Sequence, residues 1–183
     1  MSKFYTRSGD EGFTGLLGNE RVPKYHPRPD TVGAIDEATA VIGVARAHCT
    51  TPEIEALLLQ SQRDLYNLMA EISATPENAH HFRKINAERV TWLENQTEEI
   101  GSKIEMPDEF IVPGDSPSGA FLAQARTVIR RAERLVAQLL HNQEIENIEL
   151  LRYLNRLSSL CFVLEILENQ ASGKDIPTLA RGA

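Results

Sequence analysis

Cysteine is scarce in this chain: Cys49 and Cys161 are the only two in 183 residues. Neither belongs to a Cys-x-x-Cys pair, so no disulfide framework, thiol zinc site or redox pair is expected, and a reducing cytoplasm is the expected compartment. Long apolar runs are missing, and the N-terminus MSKFYTRSGDEG lacks the apolar core of a signal peptide, so no membrane span or export signal is expected. Positive charge is in the minority, with 19 Lys and Arg against 26 Asp and Glu and a formal charge of −7. That balance argues against binding nucleic-acid backbones or anionic membranes, while a local basic patch can still hold a small anion. The five histidines show no His-x-His or His-Glu-x-x-His spacing, and the two Glu-x-x-His motifs that a di-iron bundle pairs are absent; no serine sits in a nucleophile elbow. Covalent catalysis by a side chain is therefore not expected.

What is present is helical periodicity in a chain of single-domain length. Val32, Ile35, Ile42 and Ala45 form one stripe, with Asp30 as the expected N-cap behind Pro29 and an end near His48. Thr51-Pro52 opens a second helix carrying Ile54, Leu57, Leu58, Leu65, Leu68, Met69 and Ile72; Val90, Leu93, Ile100 and Ile104 mark a third. MPDEFIVPGDSPSG, with three prolines and two glycines, is an irregular connection. Ser116-Pro117 then begins a fourth helix running from Phe121 to Leu140, and a fifth, Glu146 to Gln170, is apolar nearly all round and must be covered on most sides. Strand alternation persists nowhere beyond a few residues. The fold class expected is all-α, a five-helix bundle preceded by a glycine-rich N-terminal loop.

Two segments stand out chemically. In ARTVIRRAER, Arg126, Arg130, Glu133 and Arg134 fall within an arc of about 100° on a helix, and Arg131 adjoins them. A solvated face with surface ion pairs is the bland account. Arginine without lysine favours bidentate grip on phosphate or carboxylate, and Arg152, Asn155 and Arg156 add polar groups to the apolar last helix. In residues 6–24, Gly9, Gly12, Gly15 and Gly18 recur every third position among Thr6, Arg7, Ser8, Asp10, Thr14 and Lys24. Such a segment can turn amides inward around an anion or can be a flexible tail; it is not a Walker A loop. In GAIDE, residues 33–37, Glu37 is expected to answer the helix dipole, and Asp36, beside the apolar stripe, is the better partner for an arginine.

TRSGDEGFTGL…RVPK at 6–24, GAIDE at 33–37, FIVPG at 110–114, ARTVIRRAER at 125–134 and RYLNRLSSLCF at 152–162 together resemble the PduO-type ATP:cob(I)alamin adenosyltransferases, also called corrinoid adenosyltransferases. The resemblance spans nearly the whole chain. It implies a homotrimeric five-helix bundle with ATP held between adjacent subunits, and transfer of the 5′-deoxyadenosyl group of ATP to the cobalt of cob(I)alamin with release of triphosphate. It implies one domain over 1–183, divided into a nucleotide-binding segment (1–29), the bundle (30–172) and a flexible tail (173–183). It implies ATP contacts from Thr6, Arg7, Ser8, Gly9, Phe13, Thr14, Lys24, Arg130, Arg131, Glu133, Arg134 and Asn155, with Mg²⁺ on the phosphates and no metal ligands assigned. Arg130, Phe110 and Asp36 are the implied catalytic set, Phe110 lying under the corrin in place of the lower cobalt ligand, and Asp36 pairs with Arg126 at the subunit interface. A reductase and an adenosylcobalamin-dependent acceptor enzyme are implied as partners.

The chain departs from the family pattern at Asn19 and Asp115, where glycines are usual, at Ser159, where aspartate is usual, and in the run VLEIL, which replaces an arginine. The first two add side chains where a glycine pair favours a tight turn of the backbone, and Asp115 is expected to bring negative charge toward the corrin pocket. Beside active transfer, two further readings are open: a nucleotide- or corrinoid-binding sensor or cofactor chaperone of the same fold that has lost transfer, and a helical interaction module whose arginines only make subunit salt bridges.

Overall fold

The computed structural model describes residues 4–181; residues 1–3 of the N-terminal segment and 182–183 of the tail lie outside the described residues. A short hairpin, β1 (Phe13–Gly15) and β2 (Arg21–Pro23), leads into α1 (Pro27–His48), α2 (Pro52–Ser73), α3 (Ala79–Phe82), α4 (Ala87–Gly101), α5 (Pro117–His141) and α6 (Ile148–Ala171). Three of the long helices begin on proline, whose missing N–H costs nothing at the first helical position. Ser116 caps α5, its Oγ accepting from the Gly119 amide at 3.0 Å, and Asn147 caps α6, its Oδ1 accepting from the Glu149 amide at 3.1 Å.

Two boundaries differ from the sequence reading. α1 starts one turn earlier than expected: His26, not Asp30, is its N-cap, with Nδ1 accepting from the Arg28 amide at 3.3 Å. Pro27 and Pro29 both fit a first turn, where no intrahelical N–H bond is lost, and Asp30 instead faces the helix dipole from inside that turn. Likewise α4 ends at Gly101, so Ile104 packs on the core from beyond the helix. The hairpin is too short to show alternation, pairing Phe13 with Pro23, Thr14 with Val22 and Gly15 with Arg21. α3 buries no residue and so leaves no apolar stripe to read.

The five long helices form the bundle. α1 packs between α2 and α5, and α5 lies against α6, whose other side carries α4. Ile35 and Ile42 of α1, Leu58, Leu65 and Leu68 of α2, Leu93 of α4, Leu122 and Ile129 of α5, and Leu157 and Leu164 of α6 are all fully buried. Each such side chain contributes roughly 1.5–3 kcal/mol of transfer free energy. Two buried polar groups tie the bundle together. Asp64 of α2 accepts from Arg89 Nε of α4 and from Tyr153 Oη of α6, both at 2.7 Å. Arg28 of α1 donates from Nη1 to the carbonyls of Ile72 at 2.9 Å and Ala74 at 2.8 Å, and from Nε to Glu144 Oε2 at 3.0 Å. Among the described residues no helix is long and apolar enough to cross a membrane.

Residues 173–181 do not trail away from the bundle as the sequence reading expected. Leu179 forms an antiparallel bridge with Ile111, the Ala180 amide donates to the Phe110 carbonyl at 2.7 Å, and the Val112 amide donates to the Thr178 carbonyl at 2.8 Å. The segment is a strap laid along the FIVPG loop.

Candidate functional site

The glycine-rich segment folds as a compact turn over the hairpin. Gly12 takes φ +82°, a left-handed conformation open to glycine, and its carbonyl accepts from the Lys24 amide at 2.8 Å. Lys24 reaches back over the turn: a Cβ on Gly9 would sit 3.0 Å from its Nζ, so glycine at that position lets the ammonium approach the backbone. The Thr6 and Ser8 hydroxyls are hydrogen-bonded to each other at 2.7 Å, and Arg21 donates to the Ser8 carbonyl at 2.5 Å. Thr6, Arg7, Ser8, Phe13 and Lys24 are all exposed. The Ser8, Asp10 and Gly12 amides are bonded within the turn, and two hydroxyls and an ammonium lie on its exposed residues, groups of the kind that can line an anion cradle.

Below the cradle, Thr14 and Gly15 meet α1 and α2 in a hollow of about 260 Å³ that also includes Arg28, Gly33 and Asp36. Asp36 and Thr14, two residues of the predicted site, are therefore brought together.

The arginine stripe occupies the outer face of α5. Arg130 and Arg134 are exposed, and no hydrogen bond or ion pair engages either of them among the described residues. Glu133, by contrast, is fixed: its Oε1 accepts from Asn155 Nδ2 at 2.8 Å. Asn155 Oδ1 in turn accepts from Arg156 Nη1 at 2.7 Å, and Arg156 Nε donates to Glu94 Oε1 at 2.8 Å. This relay runs across α5, α6 and α4 and holds two predicted site residues, Glu133 and Asn155, in contact. Arg131 is committed differently, to Glu37 of α1. Because α1 begins at Pro27, Glu37 lies well inside the helix, and its partner is this guanidinium rather than the helix dipole.

The third region is a cleft of about 390 Å³ between the FIVPG loop, α5 and α6, lined by Phe110, Ile111, Pro113, Arg126, Phe162 and Glu165. Phe110 is 90% exposed, so it anchors no core and stands over the cleft as an uncovered ring. The Arg126 guanidinium lies 6.0 Å from the Phe162 ring centre. Burial pushes the Glu165 carboxyl up to about 7; Arg126 opposes the shift and Asp115 adds to it. Neither cysteine is a nucleophile here, since burial pushes both thiols up to about 12.

Within one chain the predicted residues thus fall into separate groups: the cradle with the hollow beneath it, the α5–α6 face, and the Phe110 cleft. Asp36 and Arg126 lie in different groups and do not pair with each other inside the chain. No hydrogen bond or ion pair links residues 6–24 with the stripe or with Asn155 among the described residues. Asp108, Glu109 and Glu165 at the cleft, and Arg28 and Ser73 at the hollow, are polar residues that the sequence reading did not assign. Arg28 carries a readable signal, an arginine between two prolines at a helix start; Glu165 stands out only as a carboxylate inside the apolar run VLEIL.

The departures are accommodated. Gly18, not Asn19, is the position that admits no side chain, because a Cβ there would approach Thr75 to 2.6 Å; Asn19 is exposed with ordinary φ. Gly114 takes the left-handed φ of +124° at its turn, and Asp115 accepts from the Thr178 amide at 2.9 Å and hydroxyl at 2.6 Å. Its charge is spent on pinning the strap, and the Thr178 contacts hold its pKa below the usual value. Ser159 is exposed on α6. No three His, Cys, Asp or Glu side chains converge as a metal site among the described residues.

The family profile of cobalamin adenosyltransferases matches residues 4–168. A corrinoid adenosyltransferase of Bacillus subtilis is 35% identical over 175 residues, covering 93% of this chain and 89% of that protein. The corrinoid adenosyltransferase PduO of Citrobacter freundii is 34% identical over 166 residues and covers 90% of this chain, which spans 49% of that longer protein. Among solved structures, a variant PduO-type ATP:corrinoid adenosyltransferase from Lactobacillus reuteri complexed with cobalamin and ATP superposes with a TM-score of 0.89 at 27% identity, covering 98% of this chain and 100% of that one.

Proposed function

The chain belongs to the cobalamin adenosyltransferase family, and on that premise we propose that it transfers the 5′-deoxyadenosyl group of ATP to the cobalt of cob(I)alamin. The observation that carries the reading is the uncommitted cationic face of α5: Arg130 and Arg134 are exposed without an anionic partner, on the helix whose Glu133 is locked to Asn155. Such a face suits a polyanion, and triphosphate is the group that leaves.

The chemistry asks little of the protein by way of acid or base. The cobalt(I) lone pair attacks C5′ of ATP, a cobalt–carbon bond forms, and the C5′–O bond breaks with its electron pair passing to triphosphate. The nucleophile is supplied by the corrinoid and the leaving group is already acidic. What this chain supplies is alignment and charge neutralisation. In our reading Thr6, Arg7, Ser8, Gly9, Phe13, Thr14 and Lys24 wrap the nucleotide, and Arg130, Arg131, Glu133, Arg134 and Asn155 meet it from the helical side. Mg²⁺ would ride on the phosphate oxygens.

The cradle and the arginine face are not joined within one chain, which supports a homotrimer whose ATP sites each combine the cradle of one subunit with the α5 face of the next. Asp36 and Arg126, unpaired with each other in the monomer, would close that interface. Phe110, uncovered over the cleft, would occupy the lower face of cobalt and keep its axial ligand away. The division into a nucleotide segment (1–29) and a bundle (30–172) then corresponds to the two sides of the site. A cytoplasmic setting, with a reductase delivering the electron for cobalt and an acceptor enzyme taking the product, fits the free thiols of Cys49 and Cys161.

The direct test is anaerobic: protein, ATP, Mg²⁺ and chemically reduced cobalamin are mixed and the visible spectrum is followed. Conversion to adenosylcobalamin at a rate proportional to protein is expected. Tight binding of both substrates without conversion would overturn the enzymatic reading.

A further inference from the structure

Two buried polar atoms at the floor of the Phe110 cleft have no partner: Glu165 Oε1 and Arg126 Nε. Glu165 is only 1% exposed. No hydrogen bond or ion pair joins it to Arg126, although both side chains line the same cleft. A buried acceptor and a buried donor left open are costly, and a native fold retains such atoms where something outside the chain completes them. The rest of the wall combines the apolar Pro107, Phe110, Ile111, Pro113 and Phe162 with two carboxylates at the loop side, Asp108 and Glu109.

The unmet atoms specify a chemistry. Glu165 offers an acceptor and Arg126 a donor, so the complementary group presents one donor and one acceptor on a small planar frame. A primary carboxamide does this, donating N–H to Oε1 and accepting at C=O from Nε–H. A carboxylate offers no donor and, above pH 7 where Glu165 is ionised, meets its charge. An alkyl group leaves both atoms unpaired. Corrinoids carry acetamide and propionamide arms around the ring, and the acid forms differ from the amides in this group alone.

We infer that Glu165 and Arg126 together hold one carboxamide arm of the bound corrinoid, and that Glu165 is the specificity residue that selects amidated corrinoids over their acid counterparts. The inference rests on the reading that this cleft takes the corrinoid. Arg126 has its two terminal nitrogens left for an interface carboxylate, so the two roles are compatible.

The test is a set of equilibrium titrations at pH 8, where Glu165 is ionised, with cob(II)alamin and with the monocarboxylic derivatives of cobalamin, each having one propionamide arm hydrolysed, followed by the visible spectrum in the presence of MgATP. The wild-type protein should bind at least one derivative about tenfold more weakly than cobalamin, since a site built to pair a polar group rejects the analogue that leaves it unpaired. Glu165→Gln keeps the shape, removes the charge and supplies an amide that can donate to a carboxylate, so that deficit should shrink to about twofold or less. Glu165→Ala should weaken cobalamin itself and also erase the discrimination. MgATP affinity and the melting temperature, measured on the same preparations, show that both variants are folded. If wild type binds every derivative as well as cobalamin, or if Glu165→Gln keeps the full deficit, the inference is wrong while the function stands. If wild type binds no corrinoid at all, the reading of the cleft fails and the inference falls with it.

Discussion

Glu165 makes the stability of this protein depend on pH in a direction opposite to that of most carboxylates. Its carboxyl is pushed from the ordinary 4.5 up to about 7 because the group is buried, with Arg126 only partly offsetting the loss of water. Between those two values the folded chain keeps a proton that the unfolded chain has released. Stability therefore falls as pH rises through that window, and the loss is complete above about 7. The full step is worth roughly 3 kcal/mol, and relaxation of the site should leave about 1–3 kcal/mol. Glu165→Gln removes this titration without changing the volume of the side chain. Glu71 is also raised by burial and titrates in the same sense, so the absolute profile mixes the two groups. The difference between wild type and variant isolates Glu165. Urea unfolding at fixed protein concentration should show Glu165→Gln gaining about 1–3 kcal/mol relative to wild type between pH 4.5 and pH 8, or a rise in the Tm difference of several degrees for a chain of this size. A difference that stays constant over that range would refute the argument, because it would mean that the folded protein holds Glu165 charged throughout.

Further expectations concern single contacts. Arg130→Ala should lower the transfer rate at saturating ATP about tenfold or more, a charge-assisted contact being worth roughly 1.5–3 kcal/mol, while the melting curve is unchanged because the side chain is exposed and unpaired. Phe110→Ala should likewise leave the melting temperature and ATP affinity alone, since the ring is 90% exposed, yet slow transfer from cob(II)alamin with a mild reductant far more than transfer from cob(I)alamin; equal losses in the two assays would sink that role. Asp36→Ala, which breaks no bond within the chain, should weaken the trimer and activity together, as sedimentation and turnover on one sample will show. Gly119→Ala should destabilise by about 1–3 kcal/mol in thermal unfolding, because its Cβ would collide with Asn169 Oδ1 where α5 meets α6.

The helices were legible in the sequence because each long one carries a stripe of three- and four-residue spacing that ends at a proline, glycine or polar cap. What escaped had no such stripe. The strands of the hairpin are three residues each, and α3 buries nothing. The start of α1 was misread because Asp30 and His26 can both cap, and only the placement of Arg28 under the neighbouring carbonyls decides between them. For the candidate site, residue types pointed to an anion cradle and an arginine face. Their separation within one chain follows from packing that local spacing does not encode. The pairing of Glu37 with Arg131 depends on how α1 lies against α5, and the pinning of the strap by Asp115 spans 63 residues. Glu165 was hidden for a related reason, since a carboxylate in an apolar run reads as a surface position until the cleft that surrounds it is known.

Arg28 also bears on how the fold opens. Its guanidinium bonds to backbone 44 and 46 residues away, at the end of α2 and just beyond it, and to Glu144, 116 residues away in the turn between α5 and α6. Three distant stretches of chain therefore share one buried cation, and none of them can fray without stranding it. Helix ends are ordinarily where a protein opens first and exchanges its amide hydrogens fastest. Here the start of α1, the end of α2 and the α5–α6 turn are bound through one buried cation, so the floor of the hollow beneath the glycine-rich turn is expected to exchange its amides together and more slowly than the ends of the other helices.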